Sequence, residues 1–190
     1  MGYYRAGFTD ITGVDIKPMP RYPFKFVQAD ALEYLAEHGQ EYDVIHASPP
    51  CQAYTMMQNI RHNSDAHADL VSSTRELLEK IGKPYIIENV YKSPLRAHFM
   101  LCGTMFGLKI IRHRYFECGW LPLLLMPPCN HTVIYDPYHG KNRTADKFRE
   151  AMGIDWMPNG GGRNKPGSLD EAIPPAYTEY IGKQLMRVLP

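Results

Sequence analysis

Short apolar runs alternate with stretches in which apolar residues recur every three or four positions. ITGVDI, Ile11 to Ile16, reads as a strand, and Phe26-Val27 before Asp30 reads as a second, shorter one. A helix is expected from Ala31 to about His38. DVIHA, Asp43 to Ala47, is nearly continuous in apolar character and reads as a buried strand. From Ala66 to Ile81 the apolar residues Leu70, Val71, Leu77, Leu78 and Ile81 share one helical face. Gly82 and Pro84 then end that helix. Tyr85 to Ile87 is the next strand, and Leu108 to Ile111 starts another. Further on, a helix is expected over Thr144 to Met152 and a last one over Pro175 to about Val188. Ser168-Leu169-Asp170-Glu171 fits a capping box.

Strands alternating with helices predict an α/β fold, a mostly parallel sheet with helices on both faces. In such sheets ligands bind at the carboxyl ends of the strands. The polar residues collect there. Asp15 ends the first strand, Asp30 follows the second, Pro49-Pro50-Cys51 follows the third and Glu88 follows the fourth.

Composition narrows this picture. An apolar fraction of 44% suffices for a core. At 190 residues the chain suits one domain, or one with a small appendage. Residues 1–117 are expected to form the main domain, 118–167 a small irregular insert rich in Pro, Gly, Asn and His, and 168–190 a helix returning to the main domain. The net charge of +1 excludes a large basic field, so any nucleic-acid contact must come from a local patch. The four cysteines form no C-x-x-C pair, the start lacks the apolar stretch of a signal peptide, and the run from Trp120 to Met126 is too short to span a bilayer. The expectation is a cytoplasmic protein with reduced thiols and no membrane contact.

Ser48-Pro49-Pro50-Cys51-Gln52 is the sharpest motif. Two prolines hold a cysteine just past a buried strand with little backbone freedom. Taken alone, Cys51 is as readily an ordinary buried thiol. Glu88-Asn89-Val90 is the second motif, and a lone acid at a strand end is commonly just solvated. Together they say more: a thiolate beside a carboxylic acid suits addition to an electron-poor ring, with the acid protonating a ring nitrogen.

The order PPCQ, then ENV, then Arg112-His113-Arg114 resembles the DNA cytosine-5 methyltransferases, with their nucleophile, ENV and R-x-R motifs. Ala6-Gly7-Phe8 and Gly13-Val14-Asp15-Ile16 look like the AGF and GVDI segments of that family's cofactor-binding half, and the tail from Ala172 to Gly182 is similar to short phage-type members. The resemblance implies a Rossmann-like methyltransferase domain over 1–117 and a target-recognition-like insert over 118–167. It implies S-adenosylmethionine as cofactor and double-stranded DNA as partner. It implies Cys51 as the nucleophile on carbon 6 of a flipped cytosine, Glu88 on ring nitrogen 3, and Arg114, with Arg112, holding the base. Asp15 would accept hydrogen bonds from the cofactor ribose and Asp30 would lie near the adenine, with Ile16, Ala31 and Pro49 also in the cofactor site. Asp30 also reads as a helix N-cap, and the two roles are compatible. Host-cell cytoplasm and self-protection of a phage genome are the setting this implies.

The family opens with a strand and an F-x-G-x-G loop before AGF, whereas here Met1-Gly2-Tyr3-Tyr4-Arg5 precedes Ala6. Weak cofactor binding by the chain as given is therefore expected. A degenerate relative that binds DNA or a protein without catalysis is the alternative. A thiol hydrolase using Cys51 with His46 or His62 ranks below both, because no orienting partner is evident. Lys141, Asn142, Arg143, Arg163 and Lys165 are the candidate phosphate contacts, equally read as solvated loop charges. Cys118, Cys129, His131 and His139 match no standard zinc spacing, so no metal is expected.

Overall fold

The computed structural model describes residues 1–51, 70–123, 125–132, 144–157, 169 and 171–189. The fold is α/β with open sheets. In chain order the elements are α1 (Gly2–Ala6), β1 (Thr12–Asp15), β2 (Lys25–Gln28), α2 (Ala31–His38), β3 (Ile45–Ala47), α3 (Leu70–Ile81), β4 (Tyr85–Asn89), β5 (Phe99–Leu101), β6 (Arg114–Cys118), α4 (Ala145–Met152) and α5 (Pro175–Leu185). Short 3-10 turns cover Gly39–Glu41 and Gly103–Phe106. No helix among the described residues is long and apolar enough to cross a membrane.

Two compact units interleave along the sequence. The first comprises 1–31, 102–112 and 123–190; the second comprises 32–101 and 113–122.

In the first unit β1 and β2 pair in parallel, with Asp15 opposite Gln28 at their carboxyl ends. Helix α1 lies against α5 at very short range. A Cβ on Gly2 would stand 2.0 Å from Thr178 Oγ1, and one on Gly182 would stand 2.7 Å from the Ala6 Cβ. Glycine on both helices is what lets the backbones approach. A separate core gathers Ile110, Phe148, Met152, Ile154 and Leu169. Thr144 caps α4 by accepting the Lys147 N–H at 3.3 Å, and Gly153 (φ 66°) ends it in the left-handed conformation.

In the second unit the strands run β3-β4-β6-β5. β3 and β4 are parallel, while β6 is antiparallel to both β4 and β5. One sheet face packs on α3 through Val71, Leu78, Ile87 and Leu95. All of β4 beyond Tyr85 is buried, as expected for a central strand.

The expected elements over 12–47, 85–87, 144–152 and 175–185 are present, and the described part of the 66–81 helix is α3. Three readings change. The sheet of the second unit is mixed rather than mostly parallel. The strand sought at Leu108–Ile111 lies at Arg114–Cys118, because Ile110 is wholly buried in the helical core of the first unit. Glu88 stands inside β4, not after it. Of the proposed capping box, Ser168 and Asp170 fall outside the described residues.

Candidate active site

The site is built on the carboxyl edge of β3 and β4. Their parallel register matches Ala47 with Ile87, so the chain leaving β3 runs alongside Glu88 and Asn89. A side-chain bond fixes this: the Asn89 Nδ2 donates to the Pro49 carbonyl at 3.0 Å. The Asn89 Oδ1 accepts the Val90 N–H at 2.9 Å, so both ends of the amide are engaged at a residue only 1% exposed. The Pro-Pro-Cys turn is thereby stapled to the end of β4. Cys51 follows directly and is half-buried. Asn89 received no role from sequence reasoning. The available signal was an amide at the end of an otherwise apolar strand, where burial demands a partner.

Glu88 meets Arg114 through geometry that the register dictates. Glu88 stands opposite Phe116 on antiparallel β6, and Arg114 is two residues from Phe116. Such diagonal neighbours share a face. Arg114 Nε lies 3.0 Å from Glu88 Oε1, with both side chains largely buried. Arg114 Nη1 also donates to the His113 carbonyl at 2.8 Å, which anchors the guanidinium at the strand start. A charge-assisted contact of this kind holds the carboxylate in one orientation.

Within the second unit, then, Pro49, Cys51, Glu88 and Arg114 come from one sheet edge and its neighbouring strand. Arg112 differs. It belongs to the first unit, is 3% exposed, and its carbonyl accepts the Tyr177 hydroxyl at 2.6 Å. Its backbone is thus tied to α5.

His46, on β3, is half-buried, and its Nε2 lies 3.2 Å from the Ser48 Oγ. Burial drives its pKa down to about 4. At neutral pH it is an uncharged imidazole. His62, the other histidine considered as a base, lies outside the described residues.

The candidate cofactor residues Asp15, Ile16, Asp30 and Ala31 lie in the first unit. Asp15 closes β1 and accepts the Lys17 N–H on Oδ1 at 2.8 Å. Ile16 follows with 65% of its surface exposed, and Gln28 Nε2 donates to its carbonyl at 3.1 Å. Asp30 precedes α2, one residue beyond the Ala29 N–H that bonds the Asp15 carbonyl. Two acids thus follow the carboxyl ends of adjacent parallel strands, with an exposed apolar side chain beside one. That donor set fits a nucleoside, with carboxylates for ribose hydroxyls and an aliphatic surface for a base. The candidate phosphate contacts Lys141, Asn142, Arg143, Arg163 and Lys165 lie outside the described residues.

No protein-family model matches the chain, and no curated protein does. Among solved structures, the chain is similar to a triple mutant of DNMT2 from Spodoptera frugiperda, with 18% identity over 62% of this chain and 45% of the other and a TM-score of 0.45. It is also similar to a candidate DNA modification methyltransferase encoded within an E. coli prophage, with 20% identity over 62% of this chain and 41% of the other and a TM-score of 0.45. The chain spans less than half the length of either.

Proposed function

We propose that the chain methylates carbon 5 of cytosine in double-stranded DNA through a covalent Cys51 adduct. One observation carries the reading: the Asn89–Pro49 bond and the Glu88–Arg114 pair join the Pro-Pro-Cys turn, the Glu-Asn strand end and the later arginine around one sheet edge. Those are the residues that addition to a pyrimidine needs. The Cys51 thiolate adds to carbon 6 of a flipped cytosine, and an electron pair moves to carbon 5. Glu88, oriented by Arg114, gives a proton to ring nitrogen 3 and so limits the charge on the ring. Asp15, Ile16, Asp30 and Ala31 would hold S-adenosylmethionine, which would supply an electrophilic methyl group to carbon 5 and leave as the neutral thioether. A base from solvent takes the carbon 5 proton, the 5,6 double bond re-forms and expels Cys51 as thiolate, and nitrogen 3 returns its proton to Glu88. The insert over 118–167 contributes the phosphate contacts.

A duplex carrying 5-fluorocytosine tests this, because fluorine cannot leave as the proton does. With S-adenosylmethionine and a broad pool of sites, a denaturing gel should show a protein–DNA adduct that disappears in Cys51→Ala. An adduct that survives Cys51→Ala, or none with the intact chain, overturns the assignment.

A further inference from the structure

Three soft ligands converge in the first unit, in a combination that sequence spacing did not reveal. The Cys102 Sγ, the Cys129 Sγ and a ring nitrogen of His131 all lie within 4.8 Å of one another. Cys102 is fully buried, Cys129 half-buried and His131 exposed. The Cys102 Sγ stands 3.7 Å from His131 Nε2. Around a tetrahedral zinc ion, with Zn–S near 2.3 Å and Zn–N near 2.05 Å, a sulfur and a nitrogen ligand are separated by about 3.5 Å. The observed spacing needs almost no adjustment.

The surroundings hold the ligands in place. The Cys102 sulfur receives the Met105 N–H and the Thr104 hydroxyl, the latter at 3.3 Å. These two donors fix the orientation of the sulfur. The same Thr104 Oγ1 accepts the Asn130 N–H at 3.1 Å, which pins the residue between Cys129 and His131 to the turn that carries Cys102. The Asn130 Oδ1 in turn accepts the Thr132 N–H at 3.0 Å and the Thr132 hydroxyl at 2.8 Å. The loop is shaped by its own hydrogen bonds, and its ligands sit either side of the pinned residue.

We propose that Cys102, Cys129 and His131 bind a structural zinc ion. Two thiolates and an imidazole select a borderline-soft cation over calcium or magnesium, which take oxygen ligands. The three ligands leave one position of a tetrahedral ion for a further donor. The ion would clamp the 129–132 segment onto the 103–106 turn, where the ordered secondary structure is one short 3-10 turn. Of the set considered from sequence, Cys118 instead ends β6 in the second unit, where burial and then the Glu117 charge push its thiol up to about 12. His139 lies outside the described residues.

The full chain, purified under reducing conditions, should carry about one zinc ion per chain by elemental analysis. With cobalt in place of zinc it should show thiolate-to-cobalt charge transfer and the intense visible bands of a tetrahedral centre. Cys102→Ser tests the buried ligand, but that variant could fail to fold. Cys129→Ser and His131→Ala, at more accessible positions, should keep the native far-ultraviolet circular dichroism and lower zinc affinity at least tenfold. Cys118→Ala should keep its zinc. The proposal is overturned if the folded chain binds no zinc, if Cys129→Ser and His131→Ala both keep full occupancy, or if peptide mapping without reductant finds a Cys102–Cys129 disulfide in place of a metal.

Discussion

The central sheet of the second unit carries a buried glutamate–arginine pair on each face, and the two are built differently. Side chains alternate along a strand, so Glu88 and Glu117, whose strands pair Glu88 with Phe116 and Ile87 with Glu117, face opposite ways. On the face covered by α3, Arg75 grips Glu117 through Nε and Nη2, each at 2.7 Å from a separate carboxylate oxygen. Nη2 also donates to the Pro94 carbonyl at 2.7 Å, and the Arg96 N–H reaches Glu117 at 2.6 Å. The side chains are only 3% and 5% exposed. On the other face, Arg114 meets Glu88 by Nε and Oε1, and the pair is 17% and 10% exposed. The first arrangement spends its donors joining α3, the 94–96 loop and β6. The second aims a carboxylate at the edge where Cys51 stands. Similar residues on one sheet thus serve cohesion on one side and, in the proposed reading, chemistry on the other.

Breaking the Glu117 pair should give the largest change. Glu117→Gln leaves Arg75 buried beside a neutral group and should cost about 3–5 kcal/mol in urea unfolding. Replacing both partners together, as Arg75→Met with Glu117→Leu, should recover much of that loss, since a packed apolar pair carries no desolvation penalty. A double variant no more stable than Glu117→Gln would show that the pair contributes more than mutual neutralisation.

pH sharpens the same contrast. Burial raises the Glu117 carboxyl, but the Arg75 guanidinium and the Arg96 N–H outweigh it and hold the carboxyl below its ordinary value. A depressed folded pKa stabilises above the unfolded value, near 4.3, and that stabilisation fades as pH falls through the folded pKa. The gap between wild type and Glu117→Gln should be full at neutral pH and close progressively below about pH 4. A constant gap on acidification would contradict the assignment.

Glu88→Gln should act on rate more than on fold. We expect roughly a hundredfold loss of methyl transfer, about 2.7 kcal/mol, with a smaller loss of stability than Glu117→Gln shows. DNA binding should change little. A loss in unfolding free energy equal to that of Glu117→Gln would make the two pairs equivalent and Glu88 structural.

Asn89→Ala should give the smallest effect. It removes the bond to the Pro49 carbonyl, about 1 kcal/mol of stability, and frees the turn that carries Cys51. The rate of 5-fluorocytosine trapping should fall several-fold while DNA affinity holds. Unchanged trapping would mean that the prolines alone position the nucleophile.

The proposed catalytic motifs were legible because they are local. Pro-Pro-Cys and Glu-Asn each sit beside a strong apolar strand, and helices α2, α3 and α4 show period or caps in their own residues. What escaped sequence reading depends on distant partners. β6 carries Glu117 one residue from its end, which breaks the apolar run and makes sense only with Arg75 beside it. β5, Phe99–Leu101, is too short to signal a period. Cys102 is separated in sequence from Cys129 and His131, so no finger spacing arises.

The packing of α1 on α5 bears on the order in which the protein is made. Residues near the start find their glycine-lined seat only when residues 175–185 have left the ribosome. Every segment of the second unit, by contrast, has been synthesised by residue 122. During translation that unit can close first, while the opening helix and the β1-β2 pair wait for the rest of theirs. An early stop anywhere in the last helix therefore removes the partner of the first. The cost of such a truncation should fall on α1, made long before.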